Sequence, residues 1–199
     1  YPGGYLITYD PRNDTARNLG MPYEKQGIAD VVADESRGLI YVVTCEDQHW
    51  MLYDTKTKKF TELGPMLTPY ATTLMDAKGK AHALTKDFKL ATYDPATKKV
   101  TQRPIEIGNK TFARESRSSI PTWNLDADGR TAWLILMNDA HLLSIDLSSK
   151  GKKAKGTNHG LMLKGEKPDS RSALTIAPDG KIYTLISVQN KTGFGKGKL

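Results

Sequence analysis

A single cysteine, Cys45, stands among 199 residues. One thiol cannot build an internal disulfide framework, a cysteine-rich zinc site or a C-x-x-C-H haem attachment. Cys45 closes the apolar run Leu39-Ile40-Tyr41-Val42-Val43-Thr44, which predicts a buried structural thiol rather than a nucleophile. No apolar stretch approaches the roughly 20 residues of a spanning helix. Apolar periodicity of 3.6 residues over a dozen positions is also missing, which argues against long helices. The phosphate-binding G-x-x-x-x-G-K-S/T loop, the G-x-S-x-G elbow, H-E-x-x-H and an EF-hand loop are all missing. Asp126-Ala127-Asp128-Gly129 begins like a calcium loop but lacks its downstream carboxylate, so it reads as a turn.

What is present is polar and heavily punctuated. Hydrophobic residues make up 38% and charged residues 26%, a globular composition with material for a core. The 17 Gly and 10 Pro are spread along the chain and point to many turns. Net charge is +7, from 29 Lys and Arg against 22 Asp and Glu, which raises the question of anionic partners.

The chain repeats itself. An aromatic or apolar residue followed by Asp recurs as Tyr9-Asp10, Tyr53-Asp54, Tyr93-Asp94 and Ile145-Asp146. A polar turn follows each pair, as in Thr55-Lys56-Thr57-Lys58-Lys59 and Pro95-Ala96-Thr97-Lys98-Lys99. A second turn family precedes each apolar strand: Asp34 to Gly38, Asp76 to Gly79, Asp126 to Gly129 and Pro178 to Gly180. Two turn families sharing one period of 40 to 52 residues indicate a repeat architecture. The intervening segments are short and rich in Val, Ile, Tyr, Thr and Leu, which predicts strands. One unit runs Ile28 to Ala33, Leu39 to Thr44, Trp50 to Tyr53 and Lys59 to Leu63. Four strands in about forty residues are the dimensions of a β-propeller blade.

On these residues the chain resembles β-propeller repeat proteins of the NHL, YVTN and SMP-30-like kind. Their D-x-x-G-x-I/L-Y turn-and-strand is matched by Gly38-Leu39-Ile40-Tyr41 and Gly180-Lys181-Ile182-Tyr183, and their Y-D segment by Tyr53-Asp54 through Leu63-Gly64. The resemblance implies an all-β propeller of four-stranded antiparallel blades and leaves function open, since this fold hosts hydrolases, lyases, lectins and scaffolds. For lactonase members it implies a divalent cation held by Glu, Asn and Asp at the channel mouth. The residues of those types here are the scattered Glu46, Asn138 and Asp139.

Blade repeats are expected at about 1–20, 27–64, 70–107, 120–158 and 172–199. The first matches only the third and fourth strands of a blade, and the last only the first and second. Three full blades and two half blades either close a four-bladed ring or belong to a larger propeller, and the chain reads as a single propeller domain or part of one.

Aligned on the Tyr-Asp pair, two blades carry Asp-x-His at one loop position: Asp47-Gln48-His49 and Asp139-Ala140-His141. Carboxylates and imidazoles on one face would suit an acid–base pair or a divalent metal; the alternative is that each Asp shapes its turn. These four are the candidate catalytic residues, and no cofactor beyond such a metal is expected. The loop Arg114-Glu115-Ser116-Arg117, leading to Trp123, would suit an acidic sugar through guanidinium forks and an aromatic face. Arg171 stands in a loop of similar composition. Arg114, Arg117, Trp123 and Arg171 are therefore the candidate ligand-binding residues. His82 reads as a strand residue of the core. Lys56, Lys58, Lys59, Lys98, Lys99, Lys150, Lys152, Lys153 and Lys155 gather at the turns between third and fourth strands, where lysines also keep sheet edges from pairing. No nucleic-acid-binding module appears. These residues point to a non-catalytic binding or scaffold propeller, alone or as part of a larger chain or complex. It would take a protein or carbohydrate partner at the loop face around the central channel. A metal-dependent hydrolase or lyase, lactonase-like or acting on acidic sugars, is the alternative. A secreted or periplasmic setting is the expected compartment.

Overall fold

The computed structural model describes residues 3–112, 122–136, 140–164, 168–188 and 196–198, with 168–172 and 196–198 described as backbone. Every regular element among them is a β-strand. The chain divides into two compact units, Tyr1–Leu67 and Thr68–Leu199.

In the first unit, β1 (Leu6–Asp10) and β2 (Thr15–Gly20) form an antiparallel hairpin. A four-stranded antiparallel sheet follows in sequence order: β3 (Ile28–Asp34), β4 (Leu39–Thr44), β5 (Trp50–Asp54) and β6 (Lys59–Glu62). These bounds follow the expected strands closely. The burial gradient across the sheet explains the residue types. Tyr41, Val42, Val43, Trp50, Met51, Leu52 and Tyr53 on the middle strands are buried, whereas Lys59, Thr61 and Glu62 on the outer strand face solvent. Leu6, Val42, Met51 and Tyr53 form the core of this unit.

In the second unit, β7 (Leu74–Met75), β8 (Ala81–Leu84), β9 (Lys89–Asp94) and β10 (Lys99–Ile107) make one antiparallel blade, with β11 (Lys110–Thr111) folding back on β10. The next blade is β12 (Thr122–Leu125), β13 (Thr131–Ile135), β14 (His141–Asp146) and β15 (Ala154–Leu161). A three-stranded sheet follows, β16 (Pro168–Ile176), β17 (Ile182–Val188) and β18 (Lys196–Lys198). Leu84, Phe88, Leu90 and Ile105 of the first blade share a core with Trp123, Leu134, Leu143 and Ile145 of the second. Ile135, Ala140 and Leu142 pack with Leu174 and Ile186 of the last sheet.

The junction between the two blades departs from the expected pattern. The first part of β10 pairs antiparallel with β9, from Lys99 to Pro104, and its end pairs parallel with β15 over Ile105–Ile107. Pro104 sits at the changeover. A proline lacks the N–H that a continuing ladder would need, so the strand leaves one neighbour and takes another, joining the outer strands of two blades into one sheet.

The repeated turns have a common cause. Asp10, Asp54, Asp94 and Asp146 each accept a backbone N–H two residues on, from Arg12 (3.0 Å), Lys56 (2.8 Å), Ala96 (2.9 Å) and Ser148 (2.9 Å). The aspartate side chain thereby imitates a backbone turn. In three of these hairpins the left-handed position is held by Asp14, Lys58 and Lys98 rather than by glycine. In the other turn family it is held by Gly38, Gly79, Gly129 and Gly180. Gly129 is under a second constraint, because a Cβ there would lie 2.7 Å from the Cβ of Ala77.

Candidate functional site

The first unit brings Asp47 and His49 onto one loop after β4, with Glu46 and Gln48 in left-handed conformation. Each finds a local partner. The carboxylate of Asp47 accepts from Gln26 Nε2 at 2.9 Å, and its N–H donates to Gln26 Oε1 at 3.1 Å. His49 stacks on Tyr23, with centroids 3.7 Å apart and planes 14° from parallel, and its Nδ1 lies 2.7 Å from Glu62 Oε1. Glu46 accepts from the N–H of Gly27 at 3.1 Å. These contacts pin the loop at 21–27 against the loop at 45–49. Cys45 is partly exposed at the head of this loop, its N–H donating to Gly27 O at 2.9 Å.

His141 begins β14 beside the buried, left-handed Ala140. Asp139, Arg114 and Arg117 lie outside the described residues. Arg171 falls within β16. Trp123 is 3% exposed, belongs to the core of the second unit and donates Nε1–H to Thr72 O at 3.1 Å. Asp87, which the repeat aligns with Asp47, is also taken locally: it accepts from Thr85 Oγ1 at 2.5 Å and pairs with Lys89 at 2.6 Å. Those partners, Lys89 first, hold its carboxyl below the usual range. Among the described residues no three His, Cys, Asp or Glu side chains converge as metal ligands. Glu46 is bonded to a backbone N–H and Asp139 lies outside the described residues, so the described side chains present no ligand set fitting the cation of the lactonase resemblance.

A concavity of the second unit lies elsewhere, between its two four-stranded blades and beside their turns. It is a recess of about 560 Å³ lined by Asp76, Lys78, Lys80, His82, Thr92, Thr101, Arg103, Arg130 and the segment 147–150. That volume is within the ordinary range for ligand pockets. Its walls are fixed by two contacts between blades. On one side the N–H of Ala77 donates to Gly129 O at 2.9 Å. On the other, Arg103 on β10 donates to the carbonyl and hydroxyl of Ser149 and to Leu147 O in the β14–β15 turn.

A hydrogen-bonded line of three side chains forms one flank. His82 on β8 is 1% exposed; its Nε2 lies 3.1 Å from Asp76 Oδ2 and its Nδ1 3.0 Å from Thr92 Oγ1 on β9. His82 and Thr92 are direct partners in the β8–β9 register, which is why the imidazole and hydroxyl meet. Burial pushes the Asp76 carboxyl upward. The bonds from His82 and from the N–H groups of Lys80 and Lys78 outweigh it and hold the group below its ordinary value. His82 lies in the core, as its place in the strand repeat predicts. The recess leaves no local pattern in the sequence, because Arg103 and Ser149 meet across 46 residues.

No family model matches the chain, and no curated protein matches it. Solved structures do. An auxiliary nutrient binding protein from Bacteroides thetaiotaomicron is 13% identical with a TM-score of 0.53, over 99% of this chain and 57% of that one. A periplasmic gluconolactonase from Pseudomonas aeruginosa is 11% identical with a TM-score of 0.57, over 97% and 62%. A fungal alcohol oxidase of the AA5 family, in complex with copper, is 13% identical with a TM-score of 0.61, over 99% and 49%. The chain thus spans between about half and three-fifths of their lengths. Together with the all-β, largely antiparallel sheets, this likeness shows a propeller-type fold.

Proposed function

We propose that the chain is a non-catalytic propeller binding module whose ligand occupies the recess between the two four-stranded blades of the second unit. The observation that carries this reading is the recess itself: a ligand-sized concavity whose walls are held by backbone contacts on one side and the Arg103 clasp on the other. A site ordered before binding loses less entropy when occupied. The one imidazole in it is engaged at both nitrogens, an arrangement suited to holding shape. The proposal takes the chain as one propeller domain or part of one, with blades at about 1–20, 27–64, 70–107, 120–158 and 172–199. Arg114 and Arg117, and Arg171 on β16, are proposed contacts for an acidic sugar or protein partner.

A hydrolase or lyase of the lactonase kind is the second reading, and the Asp76–His82–Thr92 line favours it, since a carboxylate, an imidazole and a hydroxyl in sequence are the parts of an acid–base relay. Thermal denaturation against a panel of small polar ligands, with hydrolysis of lactone and ester substrates measured in parallel, separates the two. Binding without turnover, weakened by substitutions in the recess, is expected. Turnover abolished by Thr92→Val would establish the second reading instead.

A further inference from the structure

The charges around the recess are unbalanced. Five cations, Lys78, Lys80, Arg103, Arg130 and Lys150, line it against one carboxylate, Asp76. That carboxylate is already taken by His82 and two backbone N–H groups. Lys80 pairs with Asp94 at 2.8 Å. The two guanidiniums differ from it in their partners. Arg103 donates to two carbonyls and a serine hydroxyl, and Arg130 donates through Nε and Nη2 to the hydroxyl of Ser148, at 3.4 and 3.2 Å. Neither makes an ion pair among the described residues, and nor does Lys150 at the exposed edge.

The neighbouring carboxylates bond their own turns but keep their charge, so Asp128 acts on Arg130, and Asp146 on Arg103, through space and without an ion pair. Asp128 accepts from Arg130 N, Thr131 N and Thr131 Oγ1, and Asp146 from Ser148 N and Oγ. Arg103 is half-buried, and desolvation pushes its guanidinium below its ordinary value while the field of Asp146 pulls the other way. A guanidinium withdrawn from water with only neutral acceptors is costly unless an anion compensates it. It carries five N–H donors in a fixed fork that matches an oxyanion. Thr101 adds an exposed hydroxyl to the same lining, where the hydroxyls of Ser148 and Ser149 donate to Asp146 and that of Thr92 is bonded to His82.

Resting on the binding reading above, we infer that the ligand of this recess is a small hydroxylated anion, a sugar acid or sugar phosphate, whose charged group is held between Arg103 and Arg130 with Lys150 at the entrance. A hydroxyl group of such a ligand meets Thr101, and the fit is by charge and hydrogen bonding, since the lining holds no Trp, Tyr or Phe.

The test is calorimetric titration of the full chain with glucuronate, glucose 6-phosphate and glucose, at low salt and again at about 0.3 M salt, where a shorter screening length weakens exposed charge pairs. At least one of the two anions binds while glucose does not; which of them binds more tightly identifies the source of the charge. Arg130→Gln and Lys150→Gln, both at the rim, each weaken the anion about tenfold, the usual scale for one lost charged hydrogen bond. Arg103→Gln weakens it further, and because it also loosens the clasp, the rim variants are the deciding ones. Equal binding of glucose, or anion affinity within twofold in both rim variants, overturns the charge assignment and leaves the binding recess standing. No binding of either anion or of glucose removes both.

Discussion

The loop cluster of the first unit and the recess of the second hold similar residue types and do opposite things with them. Around Asp47 and His49 the acidic and imidazole groups meet other groups of the same unit: Gln26 on Asp47, Glu62 and Tyr23 on His49, Gly27 on Glu46. Around the recess, Arg103 and Arg130 contact only neutral oxygens and keep donors in reserve. A motif of chemically capable residues is therefore weak evidence of a site. The stronger evidence is a pair of guanidinium groups that folding leaves without a direct ion pair beside a space large enough to fill.

The comparison breaks most visibly at glycines. Gly129 has φ +63°, and an added Cβ would lie 2.7 Å from Ala77 Cβ and 3.1 Å from its backbone N. Gly129→Val should cost about 3 kcal/mol from backbone strain and overpacking together, and should remove ligand affinity by displacing one wall. Gly64 in the first unit has φ +67° with nothing within 4 Å of an added Cβ, so Gly64→Ala should cost about 1 kcal/mol from conformation alone. Equal losses in chemical denaturation would contradict the turn–turn contact as a fixed wall.

Next in size is Asp76→Ala, which leaves the buried His82 with one nitrogen unpartnered and should cost about 2 kcal/mol at neutral pH. The sign with pH follows from the lowered carboxyl. A depressed folded value contributes stability that is fully present above the unfolded value and lost as pH falls through the folded one. Wild type and variant should therefore converge in stability at strongly acid pH; a constant gap from neutral to acid would show that the Asp76 charge is not involved.

His49→Ala removes a stacked pair and should cost about 1 kcal/mol while leaving ligand affinity unchanged. A fall in affinity would return the loop cluster to the role of binding site. The smallest effect is at the β10–β15 junction. There Lys153 pairs with Glu106 at 2.7 Å and Lys155 joins it, and these ammonium groups hold the Glu106 carboxyl down at about 2. Carboxyl NMR should titrate it there, and Lys153→Gln with Lys155→Gln should return it toward the ordinary glutamate range.

Much of the fold was legible in the residues because its causes are local. Each Tyr-Asp aspartate bonds its own turn two residues on, so its repetition marks hairpins directly, and β4 falls where Leu39 to Thr44 was expected. The buried place of His82 was legible too, from its position in a strand repeat. The parallel junction of β10 with β15 was not, since register between strands about fifty residues apart leaves no local pattern beyond Pro104. The recess was hidden for the same reason. Its cations sit at turns where lysines and arginines also serve as edge protection, and only the contacts of Arg103 across the blade boundary show which of them face a cavity.

Amide NMR of the full chain during titration with glucuronate and with glucose 6-phosphate tests the account most directly. Saturable shifts at Thr92, Thr101, Arg130 and Ser149 under at least one anion, with the Tyr23, Gln26 and His49 amides unmoved, are the result predicted. Shifts confined to the loop cluster of the first unit, or no saturable shift at the recess with either anion, would contradict it.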